Sequence, residues 1–332
     1  MVMVKIAILG LGNLGTALAR VWLVEGLDEV RGWTIEQEVY DSIQANGVNE
    51  KYLGHVSLDG LMVTMDLEEA VEGAEVVALA VPSSVVLKVF DDVMPYLKDD
   101  QVLLDLAKGL APGDEMISHV IESKLEAAGL GCKLCVMMGP NIASEMATGV
   151  YTKSLVTSSD FSVAQELAKV LTTKTLRLSA GIDSLGSEYW GAFKNVIALA
   201  CGVVDGLRED GRGGDNLKAA IFTAGFSEAV RLLPQLGAQP ETALSAAGIG
   251  DLFVTATSPH GRNREMGERL GKGQTLEQAQ KEMVMVSEGV RAARMYKHLF
   301  AAKGIDSPFV DAVCDLLDGI DSIDEFLEKT HD

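Results

Sequence analysis

Cations are in short supply. The 332 residues hold 28 Lys and Arg against 48 Asp and Glu, a formal net charge of −20. Sequence-independent binding to nucleic acid rests on Lys and Arg neutralising phosphates, so this balance argues against that class of function. A small anionic substrate is not excluded, because a few local cations overcome a diffuse negative background. Long apolar runs are missing too. None reaches the roughly 18 residues needed to span a bilayer, and no integral membrane segment is expected. The opening M-V-M-V-K-I-A-I-L-G lacks a basic region, a long apolar region and a cleavage site, so no signal peptide is expected and the protein is placed in the cytoplasm. Cysteine is scarce as well: Cys132, Cys135, Cys201 and Cys314 are expected as reduced thiols rather than a disulfide framework. Cys132-Lys-Leu-Cys135 has no second pair or nearby His, so it is read as strand packing and no metal site is expected.

What remains is an ordinary soluble composition, 48% hydrophobic and 23% charged, long enough for two domains. Val2 to Leu9 reads as a buried strand, followed at once by Gly10-Leu-Gly12-Asn13-Leu14-Gly15 and a helix from Thr16 to Val24. That order is what a dinucleotide fingerprint requires. Gly10 makes the tight turn, Gly12 lets the backbone approach a pyrophosphate, and Gly15 lets helix and strand pack closely. A second strand should end at Trp33. No Arg or Lys stands in the next few residues, and Glu36 is near, either as a ligand of the ribose hydroxyl or as a loop carboxylate. The pattern leans to NAD over NADP.

Further short apolar strands run through Glu75 to Val81, Val102 to Ala107 and Lys133 to Met138, with later ones at 155–157 and 176–178. Strand and helix alternate, which predicts an α/β fold with a doubly wound, Rossmann-type sheet. Lys108 and Gly139-Pro140-Asn141 fall at strand C-terminal ends, where such sheets bind ligands. After about Ser184 long apolar-periodic helices take over, including 187–204, 216–233, 240–247 and 289–303. The expected division is residues 1–184, a dinucleotide-binding domain, and 185–332, an all-α substrate-binding and catalytic domain. Within 187–204, Lys194 and Asn195 share a face with Gly191 and Ala198, bordered by Glu188. Lys194 is either a snorkelling surface lysine or an acid/base group in a cleft opened by the small residues. Arg262 stands at the start of a predicted helix, as a phosphate fork or a solvated arginine.

The chain resembles the NAD(P)-dependent sn-glycerol-3-phosphate dehydrogenases, which reduce dihydroxyacetone phosphate. The resemblance rests on Gly10 to Gly15, N-E-K-Y-L-G at 49–54, A-V-P-S at 80–83, A-K-G-L at 107–110 and G-P-N-I-A at 139–143. It continues through F-K-N-V-I-A-L-A-C-G-V-V-D-G-L at 193–207, G-D-N at 214–216, 250–267 and 287–289. It implies Lys194 as general acid/base, with Lys108 and Asp251 as further catalytic groups. Asp251 would bind substrate hydroxyls or orient Lys194. Lys108, Gly139, Asn141, Asn195 and Asp251 would contact the substrate, and Gly261-Arg262-Asn263 its phosphate. Gly10, Gly12, Asn13, Leu14, Gly15, Trp33, Glu36, Lys108, Ala143, Arg262, Val286 and Glu288 would contact NAD or NADP. The product would feed glycerophospholipid synthesis.

Departures from the family pattern are Thr34-Ile35-Glu36 where bacterial members often have Arg or His, and Asn141 and Gly261 where Ser is common. The charged connection 207–215 is also longer than usual. The competing readings are a β-hydroxyacid or ketopantoate-type dehydrogenase and a non-catalytic NAD(P)-sensing protein. A carboxylate substrate explains neither G-R-N after Asp251 nor A-K-G-L. The expected partner is a triose phosphate. A homodimer is compatible with the sequence, which does not set oligomeric state.

Overall fold

The computed structural model describes residues 4–27, 29–111, 113, 115–258, 261–283 and 287–330. The chain divides into two compact units, Met1–Ser184 and Leu185–Asp332. Unit 1 carries β1 (Lys5–Leu9), α1 (Asn13–Val24), β2 (Glu29–Trp33), α2 (Gln37–Asn46), α3 (Glu50–Leu53), β3 (Met62–Thr64), α4 (Leu67–Val71) and β4 (Val76–Leu79). It continues with α5 (Val86–Val93), β5 (Val102–Asp105), α6 (Ile117–Ala128), β6 (Lys133–Met138), α7 (Ala143–Ala147), β7 (Thr152–Thr157), α8 (Phe161–Leu171) and β8 (Leu176–Gly181).

The eight strands form one sheet in the order β3-β2-β1-β4-β5-β6-β7-β8. All neighbours are parallel except β6 and β7. The strands are short and apolar because both sheet faces are covered. Ile6, Ile8, Ala78, Leu104 and Met137 lie in one core layer, and Ala7, Leu9, Val77, Leu79 and Leu103 in the other. The order reverses at β1, between β2 and β4, so the turn after β1 occupies the switch point where doubly wound sheets take ligands.

Unit 2 is helical: α9 (Ser184–Gly206), α10 (Asp215–Leu232), α11 (Asp251–Thr257), α12 (Arg262–Gly271), α13 (Leu276–Glu282), α14 (Glu288–Ala302), α15 (Pro308–Leu317) and α16 (Ile323–Lys329). Largely apolar, α9 is buried at every residue but Ser184, Leu185 and Asp205. The sequence expectation of an open face beside Gly191 and Ala198 is therefore corrected, since both are buried. Other small residues of α9 serve close packing. Gly202 and Gly206 on α9 meet Gly267 and Gly271 on α12. A Cβ at Gly267 would lie 1.9 Å from the Leu199 carbonyl oxygen, and one at Gly202 2.1 Å from that of Arg264.

The segment read as a helix from Pro240 to Ala247 is instead a 3-10 turn, Pro240–Leu244, followed by a wide π-type turn, Ala246–Gly250. Ser245 breaks the helix: its hydroxyl accepts the N–H groups of Ala247 and Gly248 at 3.1 and 3.3 Å. The charged connection 207–215 is tied down at both ends. Burial works to raise Asp205, but Lys218 at 2.7 Å and Arg264 at 2.8 Å outweigh it and hold the carboxyl below its usual range. Arg208 bridges Asp205 and Asp215, and Arg212 pairs with Asp324 on α16.

All four cysteines are free and buried, and burial pushes Cys135 and Cys201 up to about 12. No helix among the described residues is long and apolar enough to cross a membrane.

Asp105, at the end of β5, is fully buried in the sheet. One oxygen accepts the Ala107 N–H at 3.0 Å, and the other is without a partner among the described residues. Burial lifts the carboxyl from 3.8 to about 7. Between those values the folded chain holds a proton that the unfolded chain has released, so this contribution to stability is full below pH 4 and lost as pH rises through 7. Relative to wild type, Asp105→Asn is expected to gain stability from pH 4 to pH 8, by up to about 4 kcal/mol in denaturant titrations. A difference that does not move with pH would refute the buried, uncompensated carboxyl.

Candidate active site

In unit 1 the Gly-rich turn is built by contacts that only glycine permits. Gly10 has φ +110° and donates its N–H to the Trp33 carbonyl at 3.0 Å. A Cβ at Gly15 would lie 1.9 Å from the Gly10 carbonyl oxygen. Above Gly12 there is open space, with nothing within 4 Å of a Cβ. Helix α1 starts at Asn13, three residues earlier than the apolar pattern suggested, with no side-chain cap and no acidic residue in its first turn. Its first N–H groups, on Asn13 and Leu14, are thus left for an anion. The cradle fits a dinucleotide pyrophosphate.

Beside it, Trp33 is buried and donates its indole N–H to the Met65 carbonyl at 3.1 Å. Glu36 is half-buried, and its carboxylate is held by Lys51 and, at 2.8 Å, by the Tyr52 hydroxyl. The Lys51 ammonium, helped by Tyr52, keeps Glu36 below the usual carboxylate range. Reading only the residues next to Trp33 missed this cation, which arrives from 15 positions later.

At the C-terminal ends of β5 and β6, Lys108 donates to the Gly139 carbonyl at 2.8 Å. Asn141 accepts the Ser154 hydroxyl at 2.6 Å, and its buried Nδ2 has no partner among the described residues. Gly139, at φ +154°, packs against Ser154, where a Cβ would lie 2.9 Å from the Ser154 Cα. Ala143 opens α7.

In unit 2, Lys194 Nζ lies 2.5 Å from Asp251 Oδ1, with side chains only 5% and 3% exposed. The π-type turn delivers Asp251 to the first position of α11. Next to Lys194, Asn195 accepts the Asn263 side-chain N–H at 2.8 Å. Asn263 Oδ1 in turn accepts the Ser287 hydroxyl and the Gly289 N–H, both at 2.8 Å. This amide knot joins α9, α12 and the start of α14, where Glu288 is the first residue. Asn263 is thereby a structural tie, which its place in G-R-N did not reveal. Gly261 is the N-cap of α12 and Arg262 its first residue, exposed at the helix start. Val286 lies outside the described residues.

A Rossmann-type sheet with an anion-ready helix start, and a helical unit that buries a lysine against a carboxylate, are the parts of a dinucleotide-linked dehydrogenase. Comparison narrows the class. The family model described as NAD-dependent glycerol-3-phosphate dehydrogenase N-terminus matches residues 5–175, and its C-terminus counterpart matches residues 183–328. Glycerol-3-phosphate dehydrogenases (NAD(P)+) of Clostridium perfringens and Staphylococcus aureus are each 36% identical to this chain, over 311 and 316 residues. The matches cover 93% and 94% of the chain and 91% and 92% of the relatives. The crystal structure of a glycerol-3-phosphate dehydrogenase from Coxiella burnetii is 31% identical, covers 98% of both chains and superposes with a TM-score of 0.85. The chain belongs to the NAD-dependent glycerol-3-phosphate dehydrogenase family.

The four-glycine contact between α9 and α12 sets where Lys194 and Arg262 stand within unit 2. Gly267→Ala, whose methyl meets backbone rather than a side chain that could move, is expected to cost about 2–3 kcal/mol in chemical denaturation. A loss below 0.5 kcal/mol would show that the helices do not pack this closely.

Proposed function

We propose that the chain interconverts dihydroxyacetone phosphate and sn-glycerol 3-phosphate with a nicotinamide dinucleotide, supplying glycerol 3-phosphate for glycerophospholipid synthesis. The observation that carries the reading is the buried Lys194–Asp251 pair in a member of this family. The dinucleotide, when bound, supplies or accepts the hydride at C2 of the substrate.

The residues of the chain do the rest. Lys194, as ammonium, stabilises the negative charge that develops on the C2 oxygen and then gives it a proton. In the reverse direction the neutral amine takes that proton back. Asp251 pairs with the ammonium and aims it. An ion pair this buried is expensive to desolvate, and it would be a poor choice for stability alone. Arg262 and the α12 N-terminus bind the substrate phosphate, with Gly261 letting the backbone come close. Asn195 and Asn263 hold Lys194 and Arg262 in register, and both also contact the substrate, Asn263 at its phosphate. Lys108, Gly139 and Asn141 contact the substrate from the sheet ends, and binding energy far from C2 serves orientation.

The Gly10–Gly15 turn with Asn13 and Leu14 takes the pyrophosphate. Trp33 and Glu36 face the adenosine end, and Lys108, Ala143, Arg262, Val286 and Glu288 complete the cofactor contacts. Glu36 accepts ribose hydroxyls and disfavours a 2′-phosphate, so NADH is the preferred reductant. A homodimer acting in the cytoplasm completes the proposal.

Initial rates of NADH and NADPH oxidation with dihydroxyacetone phosphate test this. Wild type should turn over faster with NADH, and Lys194→Met should lose at least a hundredfold in kcat while remaining folded. Near-normal turnover in a folded Lys194→Met protein, or none in wild type that still binds NADH, would sink the reading.

A further inference from the structure

The N-E-K-Y-L-G stretch at 49–54 has no part in the chemistry above, yet it touches the cofactor side of unit 1 twice. Asn49 is fully buried and precedes α3, where an asparagine ordinarily caps, but it makes no cap bond. Its Nδ2 instead donates to the Leu11 carbonyl at 2.8 Å and to Thr16 Oγ1 at 2.9 Å. Thr16 Oγ1 passes its own proton to the same Leu11 carbonyl at 3.2 Å. The amide cannot be turned over, because its oxygen would then face a carbonyl oxygen and a hydroxyl whose proton is already given away. The chain tolerates a buried Oδ1 with no partner among the described residues in order to bring both amide protons to the turn. Leu11 lies between Gly10 and Gly12, and Thr16 follows Gly15, so the two bonds grip both ends of the Gly-rich turn. Two and three residues on, Lys51 and Tyr52 grip Glu36.

We propose that Asn49 is a positioning residue for the dinucleotide: it fixes the pyrophosphate turn to the one short helix that also fixes the ribose-selecting Glu36, and so sets the spacing of the two subsites. This rests on reading the turn as the dinucleotide site. Without the amide donors, the peptides around Leu11 can rotate and the N–H groups at the start of α1 lose their alignment. The loss strikes NADH and NADPH alike, because both carry the pyrophosphate. Changing Glu36 would instead move the two cofactors in opposite senses.

The discriminating variant is Asn49→Asp, which fills the same space but cannot donate. Thr16→Val, which removes only the hydroxyl, is the milder second variant should Asn49→Asp fail to fold. NADH and NADPH are titrated by fluorescence without keto substrate, with circular dichroism and melting curves as the check on folding. Both Kd values should rise by about tenfold in Asn49→Asp and several-fold in Thr16→Val, the scale of one lost buried hydrogen bond. At saturating NADH, kcat should stay within about twofold of wild type. Unchanged Kd values in a folded variant, or a fall in kcat without a change in Kd, would overturn the brace and leave the dinucleotide reading standing. Wild type that binds neither nucleotide would overturn both.

Discussion

The structure of unit 2 is arranged around one ion pair out of water. Lys194 and Asp251 are each almost inaccessible and 2.5 Å apart. Desolvating two charges costs more than a surface pair returns, and removing either partner would strand the other. Such a pair persists only where the surrounding backbone leaves it no alternative. Helix α9, buried along nearly its whole length, holds the lysine with its side chain only 5% exposed. On the other side, the π-type turn brings Asp251 in at a helix start rather than mid-helix. Gly248 makes that turn feasible, since a Cβ there would lie 2.3 Å from the Ala243 carbonyl oxygen.

Unit 1 solves a different problem, holding polar backbone ready for an anion. Gly10 and Gly15 allow the turn to close on itself, Trp33 accepts its first N–H, and Asn49 reaches in from beyond α2 to tie Leu11 and Thr16. None of these groups carries charge. In a chain with a formal charge of −20, attraction for an anion has to be local, and the places proposed for it are the helix starts at Asn13 and Arg262 and single cations such as Lys108.

Much of this was legible in the sequence because it is local. The Gly-rich turn sits between a strand and a helix in one short window, and Lys108 follows its strand by three residues. The apolar run of α9 announces a buried helix. What could not be read is non-local. Asn49 meets Leu11 across 38 residues, and Asn263 meets Asn195 across 68. The partner of Glu36 comes from α3, so a reading confined to the residues after Trp33 saw a carboxylate without its lysine. Small residues on α9 were ambiguous for the same reason. Gly191 and Ala198 at a helix face suit an open cleft and a buried face equally well, and only their burial in the folded chain decides between them. At 240–247 an apolar helical period was overridden by Ser245, whose hydroxyl competes for backbone N–H groups.

The proposed chemistry depends on Lys194 and Asp251 acting as one unit. The direct measurement is a double-mutant cycle on kcat for dihydroxyacetone phosphate reduction, using Lys194→Met, Asp251→Asn and the double variant, each checked for folding. If the carboxylate acts through the ammonium, Asp251→Asn should lose most of what Lys194→Met loses, and the double variant should be little worse than Lys194→Met alone. Additive losses would contradict it, showing that Asp251 serves the reaction, or only the fold, independently of Lys194.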